Sequence, residues 1–139
     1  MGVMTDDDDD DNDPVLAAHR RFYDAFAGGD VTAMEALWAR RAPVSCAHPG
    51  TPWLYGRASV MRSWRRVLAS GGPDVVPEDP AVFHAEELAY TIGVEIIGEA
   101  RLAVTNIYIH EDGEWRMTHH QAGPIAAPEP PRAPPRILN

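Results

Sequence analysis

Apolar side chains recur at helical spacing in three segments of the first half of the chain. A first helix is predicted over about residues 15–26, with Asp13 as its N-cap and Pro14 at its first position. A glycine pair ends this helix, and Asp30 then caps a second, shorter one. A third helix is predicted over about residues 58–69, where a Gly-Gly-Pro sequence soon follows and stops it.

Beyond that stop, apolar positions alternate with polar ones, which is the period of β-strands. The predicted strands cover about residues 75–84, as a broken strand or edge region, and then 88–97, 101–111 and 115–122. The tripeptide Glu111-Asp112-Gly113 is a strong hairpin signal between the last two strands. Three helices followed by an antiparallel meander predict an α+β fold, with the helices packed on one face of a strongly curved antiparallel sheet.

Alternation also predicts which strand residues face the helices. Asn106 and Tyr108 share the predicted inner face of their strand, and Glu95 joins them from the strand before it. Buried polar groups must be paired or line a wet cavity, and several of them among aromatic rings are typical of a ligand pocket. A satisfied polar network in a core without a ligand is the alternative interpretation.

The closing strand has apolar residues at its start and polar residues at its end. Trp115, Met117, His119 and Gln121 alternate along it, so they are predicted to share the inner face. His120 is then predicted to point to the outer face, and adjacent histidines on opposite faces cannot hold one metal ion together. The pattern indicates a strand that runs from a core to a polar opening.

Both faces of the two middle strands carry apolar residues, although a two-layer sheet should present one polar face to water. The face with Thr105, Ile107 and Ile109 is therefore predicted to be covered by a second subunit, which makes the protein a homodimer through the outer sheet face.

Charge restricts the partners of this chain. Its net charge is -9, but the aspartates at 6–11 and at 13 supply seven of the 21 acidic residues, so the remainder is nearly neutral. All twelve basic residues are arginine, which excludes lysine chemistry and leaves no large basic field for nucleic acid. No apolar run is long enough to span a membrane, and no secretory signal pattern is present, so we expect no membrane partner and a cytoplasmic location.

Composition divides the chain into three parts. Residues 1–13 form an acidic tail that is predicted to be disordered, and residues 14–123 form the folded domain. Residues 124–139 are rich in proline and are predicted to be extended.

Cys46 is the only cysteine, so no intrachain disulfide or cysteine-cluster metal site is available. A small buried side chain is favoured for it over a catalytic thiol beside His48. His119 with His48 and Glu95 would make a two-histidine, one-carboxylate metal site, but ordinary hydrogen-bonding histidines are favoured and no cofactor is predicted. The other histidines are predicted to be surface or edge residues: His19, His84 and His110.

Taken in order, the short motifs of the chain resemble the SnoaL-like group of the nuclear transport factor 2-like superfamily over about residues 14–124. The motifs are Phe22-Tyr23-x-Ala25-Phe26, Gly29-Asp30, Met34, Leu37-Trp38, His48-Pro49-Gly50, Gly56-Arg57, Ser63-Trp64, Thr105-Asn106 and Trp115-Arg116-Met117-x-His119-His120-Gln121. The resemblance implies a cone-shaped α+β barrel with an internal pocket, commonly a homodimer through the sheet.

The resemblance also implies a small-molecule ligand, with isomerisation, dehydration or cyclisation by general acid/base proton transfer among the family's reactions. Glu95 and His119 are the candidate catalytic residues, because a buried group can be tuned toward neutral pH. The candidate ligand-binding residues are Tyr23, Trp38, His48, Trp53, Trp64, Asn106, Tyr108 and Gln121. Two functions stay open at this point: an enzyme acting on an apolar or aromatic substrate, and a non-catalytic dimerisation or ligand-sensing module.

Overall fold

Helix α1 spans Pro14–Gly28 in the computed structural model, which describes residues 12–125. Asp13 caps its start, where a side-chain oxygen accepts a hydrogen bond from the Val15 N–H at 2.8 Å. Gly29 ends the helix in the left-handed conformation, with a φ of 65°. The predicted caps of the first helix are therefore confirmed.

The other two helices also match the predicted segments. Helix α2 spans Val31–Leu37, and the Asp30 side chain caps it by accepting from the Ala33 N–H at 3.0 Å. Helix α3 spans Arg57–Leu68 and is amphipathic. Its buried face consists of Val60, Met61, Trp64 and Leu68.

Six strands form one sheet: β1 (Ser45–Ala47), β2 (Leu54–Tyr55), β3 (Val75–Ala85), β4 (Leu88–Ile97), β5 (Ala100–Glu111) and β6 (Glu114–Pro124). Their order is β2-β1-β6-β5-β4-β3, so β3 is an edge strand as predicted. Neighbours are antiparallel except β1 and β6, which run parallel. The expected all-antiparallel sheet is thus wrong at this pair, because the chain passes through four strands and a helix between β1 and β6 and can approach from either direction.

Two irregularities in the pairing bend this curved, unclosed sheet. In β3, the register shifts between Glu78 and Ala81, and Asp79 takes a φ of 50° there. Between β5 and β6, Ile107 pairs with His119 and Tyr108 pairs with Met117, so Thr118 is an extra residue in β6. Bulges of this kind increase local twist and bend a strand, so the sheet can curve around the helices.

The hairpin between β5 and β6 forms at the predicted residues. Asp112 and Gly113 have φ values of 56° and 78°, the two positive values that a two-residue hairpin turn requires. Just before the turn, the buried Glu111 carboxylate accepts three backbone N–H groups, from Arg40, Arg41 and Ala42, at 2.8 to 3.1 Å. Burial by itself raises the pKa of Glu111, but these bonds outweigh it and hold the pKa below its usual value. The hairpin is thereby attached to the segment that follows α2.

The core lies between the helices and the concave face of the sheet. Its largest fully buried apolar and aromatic side chains are Trp38, Trp64, Tyr108, Phe22, Met34 and Met117. No helix within residues 12–125 is long and apolar enough to cross a membrane. The predicted acidic and proline-rich tails fall almost wholly outside the described residues.

Gly72 provides a test of how closely the end of α1 packs against the segment after α3. A Cβ built at Gly72 would collide with the carbonyl oxygens of Phe26 and Ala27. We expect Gly72→Ala to lower the free energy of unfolding by about 1–3 kcal/mol, because backbone must move to admit the methyl group. Denaturant unfolding measures this change.

Gly28→Ala is the matched control, since a Cβ there meets nothing within 4 Å. Gly28 is the last helical residue of α1, so alanine should be neutral or stabilising by about 0.5–1 kcal/mol. Equal destabilisation by the two variants would contradict the close approach at Gly72.

Candidate functional site

Four buried polar side chains form a continuous hydrogen-bonded row between α1 and the sheet. The Tyr23 hydroxyl donates to Glu95 Oε2 at 2.6 Å, and Asn106 Nδ2 donates to the Tyr23 hydroxyl at 3.4 Å. His120 Nδ1 lies 2.6 Å from Asn106 Oδ1. All four residues are at most 4% exposed. This set is called the polar row below.

Three neighbouring strands and one helix supply the polar row. Glu95 comes from β4, Asn106 from β5 and His120 from β6, while Tyr23 comes from α1. Asn106 and His120 are direct cross-strand partners, which places their side chains side by side on the same face. The inner-face positions predicted for Glu95 and Asn106 are confirmed.

The hydrogen bonds of the polar row run in one direction. Since Asn106 uses its amide N–H toward Tyr23, its carbonyl oxygen accepts, and the Nδ1 of a neutral His120 must carry the proton between them. That tautomer leaves Nε2 of His120 with a free lone pair. Every donor therefore points toward Glu95, and an acceptor remains at the opposite end of the row.

Burial sets the charge states along the polar row. Burial raises the pKa of Glu95 above its usual value, and the hydrogen bond from Tyr23 opposes this rise. Burial lowers the pKa of His120 well below its usual value, and the neighbouring His48 and His119 lower it further. His120 is therefore neutral at pH 7, which is the state that a general base requires.

Aromatic rings surround the His120 end of the row. The rings of Phe22 and Trp64 lie 5.0 and 5.6 Å from His120, centroid to centroid. His48 packs edge-on against Trp64 at 4.8 Å and lies 6.2 Å from His120. Burial lowers the pKa of His48 as well, so two neutral imidazoles meet around one indole ring.

Cys46 lies beside His48, with 3.7 Å between Sγ and Nε2. Its side chain is fully buried, which confirms the expectation of a small buried residue. Burial first, and then the charge of Glu95, raise the pKa of the Cys46 thiol to about 12. The thiolate that nucleophilic chemistry needs is thus disfavoured near neutral pH.

The faces predicted for the last part of the closing strand are wrong. His120 is 1% exposed and points inward, whereas His119 is only half-buried and Gln121 is exposed. The cause is the β-bulge at Thr118, which adds one residue between Met117 and the polar residues and inverts the alternation beyond it. His119 instead places Nδ1 2.7 Å from the Ser45 hydroxyl, so it does not join the polar row.

The candidate ligand-binding tryptophans separate into two groups. Trp38 and Trp64 are fully buried in the core, whereas Trp53 is 46% exposed and packs against His119 at 5.6 Å. Tyr108 is fully buried on the same face as Asn106, as predicted, and burial raises the pKa of its hydroxyl. Of the predicted ligand residues, the structure brings Tyr23, Asn106, Trp64 and His48 together.

His19 corrects another expectation, since it was predicted at the surface and is 4% exposed. It lies one helical turn before Tyr23, and the two rings are 4.8 Å apart. Burial lowers the pKa of His19 to about 4, with a further contribution from Arg20. Helical spacing could have identified it, because Val15, Phe22 and Tyr23 occupy the same apolar face. His84 and His110 are exposed, as predicted.

The described surface carries two pockets, and neither is lined by a member of the polar row. The larger, about 470 Å³, is formed by α1, α2 and the start of β6. The smaller, about 350 Å³, is called the α3 pocket and is lined by His48, Thr51, Pro52, Leu54, Ser59, Arg62, Ser63 and Arg66. His48 therefore lies between the α3 pocket and His120. Within residues 12–125, no group of three His, Cys, Asp or Glu side chains is placed to hold a metal ion.

The Tyr23–Glu95 contact gives the first test of the polar row. In Tyr23→Phe, Glu95 loses its donor, so its pKa should rise further and the free energy of unfolding at pH 7 should fall by about 1–3 kcal/mol. Carbon-13 NMR of the glutamate carboxyl groups measures the first change and denaturant unfolding the second. Tyr90→Phe is the control, because Tyr90 stacks on Phe83, and it should leave the Glu95 titration unchanged.

The stability of the Glu95→Gln variant relative to the native chain should depend on pH over the range in which Glu95 ionises. A carboxyl with a raised pKa contributes stability below its unfolded pKa of about 4.5 and loses it as pH rises through the folded pKa. The amide cannot ionise, so Glu95→Gln should gain stability relative to the native chain as pH rises through that window. A difference that shrinks with rising pH would contradict the raised pKa.

Solved structures of similar fold come from several bacteria. A candidate dehydratase of the NTF2-like family from Streptomyces avermitilis is 27% identical, with a TM-score of 0.75, and the match covers 86% of this chain and 99% of that one. A candidate calcium/calmodulin-dependent protein kinase type II association domain from Thiobacillus denitrificans is 30% identical, with a TM-score of 0.70, over 79% of this chain and 94% of that one.

A candidate ketosteroid isomerase from Parabacteroides distasonis shares the fold at 16% identity and a TM-score of 0.67, over 82% of this chain and 89% of that one. No protein of curated function matches the chain. The profile of the SnoaL-like domain matches residues 15–127, which includes all of the helices and strands described above except the first residue of α1. The chain therefore belongs to the SnoaL-like domain family and has the NTF2-like cone fold.

Proposed function

We propose that this protein is an enzyme that moves a proton on a small apolar or aromatic molecule, as in an isomerisation or a dehydration. One observation carries the proposal: the buried hydrogen bonds all point toward Glu95 and leave Nε2 of a neutral His120 as a free acceptor among aromatic rings. A core that only needed to be filled would gain more from apolar side chains at these positions.

In this proposal, His120 is the general base. Its Nε2 takes a proton from a carbon next to a substrate carbonyl, which leaves an imidazolium and an enolate. Returning that proton to another carbon completes an isomerisation, and giving it to a departing hydroxyl group completes a dehydration with release of water. Catalysis of this type contributes roughly 10²- to 10⁴-fold in rate.

The rest of the polar row positions His120. Asn106 fixes the imidazole tautomer, and Tyr23 links Asn106 to the Glu95 carboxylate, whose charge stabilises the imidazolium. The sequence suggested Glu95 or His119 as the base, and His119 lies outside the polar row beside Ser45. Tyr23 already occupies one Glu95 oxygen, and the α3 pocket approaches the row from the His48 side, so proton abstraction is assigned to His120.

Proton exchange tests this function without knowledge of the natural substrate. We expect the native chain to accelerate exchange of the α-protons of 2-tetralone or acetophenone in deuterated water, followed by proton NMR. His120→Asn and Glu95→Gln should each reduce the acceleration by about 10²-fold or more. The control is His84→Asn, since His84 is exposed and bonds only to Asp13 on the described surface.

Loss of exchange in His84→Asn, or full exchange in His120→Asn, would contradict the assignment of the base. Absence of exchange with either ketone, together with no co-purifying ligand in native mass spectrometry, would favour a non-catalytic association module. That second function has its own support, because every member of the polar row has a partner within the row and aromatic rings pack the surrounding space.

We further propose that a second copy of the chain covers the outer sheet face. This face exposes large apolar side chains, with Phe83 at 43% and Ile92 at 47%, and Ile107 lies beside them on the next strand. A continuous apolar surface on a sheet is typical of an interface between subunits. Light scattering at micromolar concentration should therefore report a dimer.

Ile92→Asp should shift the dimer to a monomer, because it places an unpaired charge in the centre of the proposed interface. Tyr55→Asp is the control, since Tyr55 is 70% exposed on β2 at the opposite end of the sheet. A native chain that is monomeric, or a dimer that both variants preserve, would contradict the interface.

A further inference from the structure

The α3 pocket has an unusual charge for this chain. Two arginines, Arg62 and Arg66, line it, and no carboxylate does. Outside the run of aspartates near its start the chain is nearly neutral, and the larger pocket balances three arginines, Arg21, Arg40 and Arg116, with three carboxylates. A pocket lined by two arginines and no carboxylate indicates a preference for an anionic ligand.

Both arginines of the α3 pocket lie on one face of helix α3. Ser59, Arg62, Ser63 and Arg66 are spaced i, i+3, i+4 and i+7, so they form one face of the helix. The opposite face carries the buried residues, including Trp64, and fixes the rotation of the helix about its axis. The two guanidinium groups therefore stand one turn apart beside two hydroxyl groups.

Arg62 and Arg66 lack the acidic partner that four other arginines of the described chain have. Arg65 on the same helix pairs with Glu35, and Arg101 pairs with Glu78. Neither Arg62 nor Arg66 makes a side-chain hydrogen bond or ion pair within residues 12–125. Like charges at i and i+4 destabilise a helix slightly, and an anion bound between them would relieve that repulsion.

We propose that the α3 pocket binds the anionic group of a small organic molecule, a carboxylate or a phosphate, between Arg62 and Arg66. Guanidinium groups match both anions with paired N–H donors, and the hydroxyls of Ser59 and Ser63 add further donors. The volume of about 350 Å³ suits a small ring compound rather than a macromolecule.

The pocket also defines how such a ligand would lie. His48 and Leu54 line the wall of the α3 pocket, and His48 packs on Trp64 next to His120. A ligand held by its anionic group at the arginines would direct its apolar part toward His48. Resting on the proposed function, this arrangement makes the substrate an apolar or aromatic acid or phosphate ester.

Binding of simple aromatic anions tests the site. The probes are benzoate and phenyl phosphate, with benzamide as the neutral comparison, titrated into the nitrogen-15 labelled full chain by NMR at low salt. We expect at least one anion to bind about tenfold more tightly than benzamide, and its affinity to fall as salt is added. The double variant Arg62→Gln/Arg66→Gln should lose that tenfold preference, while its amide spectrum stays that of a folded protein.

Arg65→Gln is the matched control, because it removes a charge from the same helix outside the pocket and should change the affinity less than twofold. Preference for benzoate alone identifies a carboxylate, and preference for phenyl phosphate alone identifies a phosphate. Equal binding of benzamide and both anions, or an equal loss in Arg65→Gln, would overturn the site. Glu95→Gln should still bind the anion. A failure of the proton-transfer function can therefore be told apart from a failure of the anion site.

Discussion

Burial of the Glu95 carboxylate is the constraint on which the interior of this protein depends. A carboxylate that is removed from water costs several kcal/mol unless other groups replace its hydration. Tyr23 provides that replacement from helix α1, across 72 residues of sequence, and so connects the first helix to the centre of the sheet. The hydroxyl that is used toward Glu95 must itself accept from Asn106, which then accepts from His120. The order of the hydrogen bonds in the polar row therefore follows from the requirement that the buried Glu95 carboxylate has a donor.

The β-bulge at Thr118 determines which histidine completes that row. With regular alternation, His119 would face Asn106 and His120 would point outward. The extra residue inverts the strand beyond Met117, so His120 pairs with Asn106 while His119 meets Ser45 and Trp53 on the other side. The same bulge bends β6, so the curvature of the sheet and the composition of the candidate site have a common cause.

The sequence predicted the features that depend on local chemistry. The caps of α1, the hairpin at Asp112-Gly113 and the inward positions of Glu95 and Asn106 all follow from residue type and period. The bulge was missed because no residue type marks it, and one inserted position reverses every side chain after it. The parallel pairing of β1 with β6 and the bond between Tyr23 and Glu95 are long-range and have no local signal. The helical spacing of the serines and arginines on α3 can be read from the sequence. The pocket also needs residues 48–54, however, and only the fold brings these beside the helix.

The two proposed sites would act on a ligand from opposite directions. Glu95 places negative charge at the far end of the polar row, and its influence already extends to Cys46 beside His48. Arg62 and Arg66 place positive charge in the α3 pocket, on the other side of Trp64. An anionic ligand would be attracted at the pocket and repelled from the interior, so both fields favour the same orientation, with the apolar part toward His120. Because the core around Glu95 excludes water, its field is weakly screened, whereas Arg62 and Arg66 are exposed and their field weakens as salt is added.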